Sequence, residues 1–333
     1  MRAGLLGILV FFLATVGYVA WHLGRLTPGG WAAKWGVALL YLLWMAAAFA
    51  SMGLRSKASI PTITALYEVG HPWMIAYLYM LIAFLLADAG ALLRLIPKGW
   101  LTGNGWAMAG LLGSIAVLLA LGGVHYRHKY REELTIHSQK PLQRPLTVVL
   151  ASDLHLGYSN RKAELARWID LILAEQPDLV LFGGDIIDIS TRPLLEGDYA
   201  SEFARIQAPI YTVLGNHEYI GNEADAERFF ADAGITLLRD STACAEGIAI
   251  IGRDDRSNPG RKPLAALDVP SDCFSILLDH QPYHLGPQDS HWHPFRVPGP
   301  AYPVSHLSRD RRHGRDGESA RRVDFDNFTQ KTY

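Results

Sequence analysis

Thr147-Val148-Val149-Leu150-Ala151-Ser152-Asp153-Leu154-His155 starts as an apolar, β-branched run and ends on two side chains that can ligate metals. The pattern recurs twice downstream. Asp178-Leu179-Val180-Leu181-Phe182 leads into Gly183-Gly184-Asp185-Ile186-Ile187-Asp188, and Pro209-Ile210-Tyr211-Thr212-Val213-Leu214 leads into Gly215-Asn216-His217-Glu218. Runs too uniformly apolar to alternate suit strands buried on both faces, as in a helix-covered sheet. Ligands of such sheets sit beyond the carboxyl ends of the strands, where these Asp, His and Asn residues fall. Three loops that converge on one sheet edge with oxygen and imidazole donors predict a metal site.

Outward from that stretch, residues 161–175 read as a helix with Leu165, Trp168, Ile169 and Ile172 on one face, stopped by Pro177. Residues 199–206 read as a shorter helix. Residues 223–233 read as another, ended by Gly234, with Phe229 and Phe230 turned inward. Runs with strand character follow at 235–238, 247–252 and Phe274–Leu278. Strand and helix alternate first and strands dominate later, an order that an α/β two-sheet sandwich flanked by helices accommodates.

The residue types have a shared logic. Two metals a few ångströms apart can clamp the attacking and leaving oxygens of a phosphoryl centre, and they need one carboxylate that bridges them. Asp153-x-His155 places two ligands on one side of a loop. Gly183 and Gly184 let the backbone come close, and Asp185 is the natural bridge. Asn216 offers a neutral oxygen, which leaves net positive charge for phosphate. His217 is placed to donate a proton. Each piece alone is common; it is the three in this order, each after a strand, that carry the argument.

These blocks resemble the calcineurin-like metallophosphoesterases through Asp153-x-His155, Gly184-Asp185-x-x-Asp188 and Gly215-Asn216-His217-Glu218. The resemblance continues in Ile251-Gly252-Arg253-Asp254-Asp255 and Leu277-Leu278-Asp279-His280-Gln281-Pro282, and covers 146 to about 285. The membrane-anchored bacterial branch looks most similar. The resemblance implies two divalent metal ions (Mn, Fe, Zn or similar), one on Asp153, His155 and Asp185 and the other on Asp185, Asn216 and His280. It implies that His217 is the catalytic acid or transition-state stabiliser, that Asp188 orients it or the ligands, and that a water-derived nucleophile attacks phosphorus. Arg253 reads either as a phosphate contact or as an exposed loop arginine. Some members of this class cleave the pyrophosphate of UDP-2,3-diacylglucosamine, so a lipid-linked or nucleotide-linked glycolipid is the expected substrate and lipid A biosynthesis the expected setting.

The pattern breaks after the His280 block. The family closes its site with Gly-His-x-His, whereas this chain reads Val297-Pro298-Gly299-Pro300-Ala301-Tyr302. His291-Trp292-His293 comes too early to replace it, and His306 stands alone. Residues 305–322 are rich in Arg, Asp, Gly and Ser, a composition with little to bury. The expectation for 286–333 is therefore an atypical, disordered tail, and the abrupt change raises the hypothesis of a reading-frame shift near Leu285. The alternative function is a catalytically impaired metallophosphoesterase-like membrane protein that lacks the closing block.

The N-terminal region, residues 1–125, is of another kind. No formally charged residue occurs in 3–21, 35–54, 72–87 or 99–124, and a spanning helix needs about 20 mostly apolar residues. Four transmembrane helices are expected, the third running on to Ile96, with a cleaved signal peptide as the alternative reading of the first. A transporter is disfavoured because no broken-helix pairs are evident. Asp88 is the one intramembrane acid, expected on the bundle interior or paired with Arg94. Trp31, Trp35, Trp73, Trp100 and Trp106 fall near tract ends, as in an interfacial belt. With a cytoplasmic N-terminus the inside loops hold Arg2, Arg55, Lys57, Arg127, Lys129 and Arg131, against Arg25, Lys34, Arg94 and Lys98 outside. That asymmetry places both ends in the cytoplasm of a bacterial inner membrane. A basic linker, 126–145, joins this region to the domain at 146–285 and can also meet anionic headgroups. A formal net charge of −1 over 333 residues gives no basic face for nucleic acid. Cys244 and Cys273 have no CxxC spacing and suggest neither a zinc knuckle nor a disulfide framework. The oligomeric state is left open.

Overall fold

A computed structural model describes residues 2–136, 138, 140, 142–281, 292–295, 305–308 and 328–331. The chain divides into two compact units, Met1–His128 and Lys129–Tyr333.

The first unit consists of α1 (Arg2–Leu26), α2 (Trp31–Gly53), α3 (Ile60–Gly70), α4 (Pro72–Leu92) and α5 (Gly105–Arg127). Among the described residues, four segments are long and apolar enough to cross a membrane: Gly4–Leu26, Trp31–Gly53, Ile60–Leu92 and Gly105–Arg127. Their outward faces carry Leu6, Phe11, Leu40, Leu86 and other large apolar side chains, an exposure that suits helices facing lipid. α3 extends the third expected tract backwards. Ser59 caps it by accepting the Thr62 N–H at 3.3 Å, and Pro61 occupies its first turn. Gly70 then lets α3 touch α2 closely, since a Cβ there would come 2.4 Å from the Ala48 nitrogen.

Two expectations for this unit are corrected. Trp73 is 1 % exposed and stacks on Tyr77 with ring centroids 5.1 Å apart, so it belongs to the bundle core rather than the interfacial belt. Asp88 does not pair with Arg94. Its Oδ2 accepts the Tyr18 hydroxyl at 2.8 Å and lies 3.0 Å from His22 Nε2, because α1 and α4 pack face to face.

The second unit holds two sheets. The first runs β1 (Glu132–Leu134), β11 (Phe328–Lys331), β2 (Val148–Ala151), β3 (Leu179–Phe182), β4 (Ile210–Thr212), β5 (Thr236–Leu237), parallel from β11 onward. The second runs β6 (Ser241–Ala245), β7 (Ile248–Gly252), β8 (Phe274–Leu278), β10 (Ser305–Ser308), β9 (Trp292–Phe295). Alternation of side chains explains how both faces are filled. Val148, Leu150, Leu179 and Leu181 meet Ile248, Ile250, Phe274 and Ile276 between the sheets. Val149, Ala151, Val180 and Phe182 face outward against α6 (Lys162–Ala174), α7 (Ala200–Phe203) and α8 (Glu223–Asp232), through Trp168, Ile169, Phe203, Phe229 and Phe230. This is the expected α/β two-sheet sandwich.

Boundaries differ from expectation. The second unit starts at Lys129, inside the segment read as a linker, because β1 joins its first sheet through β11. The segment read as a disordered tail contributes three four-residue strands: β11 parallel to β2, and β9 and β10 extending the second sheet from β8. Glu-Glu-Leu and Phe-Thr-Gln-Lys have no strand pattern of their own; the neighbouring strand sets their register. The helix expected over 199–206 shrinks to Ala200–Phe203.

Candidate metal centre

The loops after β2, β3, β4 and β8 meet in one cleft of about 440 Å³, lined by Asp153, His155, Asp185, Asn216, His217, Arg256, His280 and Gln281. All six residues expected to hold metal or move a proton are in it. Asp153 (φ 57°), His155 (φ 45°) and Asp185 (φ 51°) adopt left-handed backbone, a region that Asp and His enter more readily than other side chains. Held strain of this kind marks sites where the surroundings over-determine the backbone. Here the surroundings are the loops themselves. Asp153 N donates to Gly184 O at 3.1 Å, His155 N to Asp185 O at 2.9 Å and Leu156 N to Ile186 O at 2.8 Å, so the first loop is laced to the second.

Glu218 laces the second to the third. It is 1 % exposed, and its carboxylate accepts the N–H groups of Asp185 (3.1 Å), Ile187 (2.9 Å) and Gly215 (2.7 Å). Burial, with the Asp185 carboxylate beside it, pushes the Glu218 carboxyl up to about 7. Gly215 is obligatory for a different reason: a Cβ would lie 2.1 Å from Asp185 Oδ1.

Asp185 sits at the centre. Oδ1 accepts the His217 N–H at 2.9 Å, while Oδ2 is 3.3 Å from His280 Nε2 and 3.8 Å from His155 Nε2. Gly183 O can only accept, so His280 donates through Nδ1 at 2.9 Å and turns Nε2 toward Asp185. Burial alone would lower the His280 imidazole, yet its hydrogen bond to Asp185 and the surrounding carboxylates raise it to about 9. Burial would likewise raise Asp153, but hydrogen bonds from His155 and Ser152 and the charge of His280 hold it below the usual carboxylate range. The acids thus favour the protonated rings of His217 and His280. His155 Nδ1 is buried with no hydrogen-bond partner. Surplus carboxylate charge with imidazole nitrogens turned inward fits divalent cations, whose binding displaces those protons.

The ligand atoms of Asp153, Asp185 and His280 lie within 4.8 Å of one another, as do those of His155, Asp188 and His217. This grouping differs from the expected one, in which His155 goes with Asp153 and Asp185. His155 lies between the groups, its Nε2 3.7 Å from Asp153 Oδ1 and its Nδ1 3.9 Å from Asp188 Oδ1. Asn216 lines the cleft, and its Oδ1 accepts Gln281 Nε2 at 2.5 Å. His217 Nδ1 donates to Asp188 Oδ1 at 3.0 Å, a bond that outweighs burial and raises the imidazole above its ordinary value.

Arg253 is not at the cleft, and its reading as a phosphate contact is corrected. It is buried, with Nη1 3.1 Å from Asp279 Oδ2 and Nε 3.1 Å from Lys262 O. Arg261 holds the other side of the same Asp279, so the two guanidiniums fix the residue that precedes His280. Burial raises the Asp279 carboxyl and the two arginines oppose that. The arginine that lines the cleft is Arg256. Arg256 carries no sequence signal beyond proximity to a recognised block, whereas Gln281 lies inside the His280 block and Glu218 was visible as the last residue of the third one. Of the histidines beyond the His280 block, His291 lies outside the described residues, while His293 and His306 fall in β9 and β10.

Residues 146–299 match the family model described as Calcineurin-like phosphoesterase. Fold, cleft and match together liken this domain to the calcineurin-like phosphoesterases, and the apolar helices that precede it suggest a membrane protein. Similar curated proteins include one from Caenorhabditis elegans named for the metallophosphoesterase class, 32 % identical over 41 % of this chain and 31 % of its own length. An uncharacterized metallophosphoesterase from Aquifex aeolicus is 29 % identical over 45 % of this chain and 61 % of its own. A "Transmembrane protein with metallophosphoesterase domain" from Danio rerio is 30 % identical over 41 % of this chain and 35 % of its own. The chain thus spans between about a third and three-fifths of the length of these relatives. No solved structure matches.

Proposed function

We propose that the chain is a membrane-anchored phosphoesterase that hydrolyses a phosphodiester or pyrophosphate bond, with two divalent cations held by Asp153, His155, Asp185, Asn216 and His280. The observation that carries this reading is Asp185, one oxygen fixed by the His217 N–H and the other set between two imidazole nitrogens. That is the disposition a bridging carboxylate needs. Bound cations would polarise the phosphoryl oxygens and lower the pKa of water.

The chain's own residues supply the rest. Asp188 fixes the His217 ring through Nδ1, which leaves Nε2 to carry a proton toward the departing oxygen. The hydrogen bond to Asp188 raises the His217 imidazole above its ordinary value, the direction that favours the protonated ring. Gln281 orients the Asn216 amide, and Glu218 sets the spacing of Asp185 and Asn216 by holding both loops. A membrane anchor raises the local concentration of lipid-linked substrates, so the proposed substrate is a lipid-linked or nucleotide-linked glycolipid, of which a UDP-linked diacylglucosamine is one candidate. The basic residues around the spans favour a cytoplasmic domain on a bacterial inner membrane.

The test is hydrolysis of bis-p-nitrophenyl phosphate by the full chain with Mn²⁺, beside Asp185→Ala and His217→Ala. Activity abolished by both changes is expected. A wild-type chain that binds no metal and hydrolyses nothing would establish the impaired form instead.

A further inference from the structure

We infer that Arg256 binds the substrate's phosphate: its guanidinium takes the phosphate oxygens that the cations and His217 leave uncovered. The inference rests on the phosphoesterase reading above and adds a residue to it. Arg256 lines the same cleft as Asp153, Asp185, His217 and His280, and among the described residues it is the one Arg or Lys in that lining. An exposed arginine is ordinary in itself. What sets this one apart is the loop that presents it.

Residues 253–262 leave β7 and return at a base closed twice. Asp240 accepts the N–H of Asp254 through Oδ1 (3.0 Å) and that of Lys262 through Oδ2 (2.9 Å), so one carboxylate ties both ends. Asp279 takes Arg253 and Arg261, again one from each end, and adjoins His280. Inside the loop, Asp255 accepts Ser257 N at 2.8 Å, and Asn258 donates to Asp254 Oδ2 at 2.8 Å. Arg256 is therefore carried at the tip of a loop whose base is pinned beside a metal ligand. A planar guanidinium offers paired donors that match two phosphate oxygens, and anchoring the loop that carries it limits the backbone entropy lost on binding.

The experiment compares metal-loaded full chain with Arg256→Ala, Arg256→Gln and Arg256→Lys. It measures the inhibition constant for inorganic phosphate, kcat/KM for p-nitrophenyl phosphate, phosphate affinity by calorimetry and bound metal. Arg256→Ala and Arg256→Gln are expected to weaken phosphate about tenfold or more at unchanged metal content. Arg256→Lys is expected to recover part of the loss, since it keeps the charge and loses the fork. Metal content equal to wild type also shows that the variants are folded. Wild-type phosphate affinity and kcat/KM in both neutral variants would overturn the inference and leave the phosphoesterase reading intact. A metal-loaded wild type that neither hydrolyses the ester nor binds phosphate would overturn both.

Discussion

Among the described residues, two His–Asp pairs have equal separation, His22 with Asp88 in the helical unit and His217 with Asp188 in the domain, each 3.0 Å apart. Their surroundings make them different objects. His22 is 1 % exposed, stacked on Phe84 and edged by Tyr18 and Trp21, and the Tyr18 hydroxyl bonds the same Asp88 oxygen. One acid, its own side chain 42 % exposed, faces one imidazole set among aromatic rings, and the pair ties α1 to α4. His217 shares its cleft with His155, His280, Asp153, Asp185 and Arg256. Acids there crowd several imidazoles in a space open to a ligand. The pair itself does not make a site; surplus charge and access do.

The strongest way to break that contrast is Asp185→Ala, expected to lower kcat by about 10³-fold or more and to lower bound metal, read by turnover and elemental analysis. Turnover retained at full metal occupancy would remove Asp185 from the centre of the site. Next, His217→Ala should lower kcat by about 10²–10⁴-fold with metal retained. Asp188→Asn should cost about 10–100-fold, because it loosens the imidazole without deleting it. On the other side of the comparison, Asp88→Ala should leave kcat unchanged and lower the thermal stability of the helical unit by about 0.6–2 kcal/mol; loss of turnover there would make the two pairs alike.

The smallest effect concerns Asp254, which accepts Tyr219, Asn258 and Arg239. Burial would raise its carboxyl, but these partners hold it below the ordinary value. A depressed folded-state pKa gives stability that is present above the ordinary carboxylate range and is lost as pH falls through the folded value. Asp254→Asn lacks that contribution, so its stability should decline less steeply in acid, measured by thermal melts below about pH 4.

Local sequence carried much of this. The apolar runs of β2, β3, β4, β7 and β8 and the glycine-flanked ligand blocks are short-range signals, and the structure assembles Asp153, His155, Asp185, Asn216, His217 and His280 from them. What stayed hidden depends on distant partners. β1 and β11 are strands only because β2 offers an edge. Arg253 and Arg256 look equivalent as text, yet Asp279 buries one while the loop turns the other to the cleft. Trp73 reads as an interfacial residue until Phe12 of α1 and Tyr41 and Phe49 of α2 close over it.

Glu218 couples parts of the chain that are far apart in sequence. Amides of Asp185, Ile187 and Gly215 share this one acceptor. None of the three can reach solvent without releasing the carboxylate that holds the other two, so they form one opening unit. Hydrogen exchange at these amides should follow a common slow rate despite their separation along the chain. A ligand that rigidifies one loop then slows exchange in the other, which makes the second and third loops a single mechanical body.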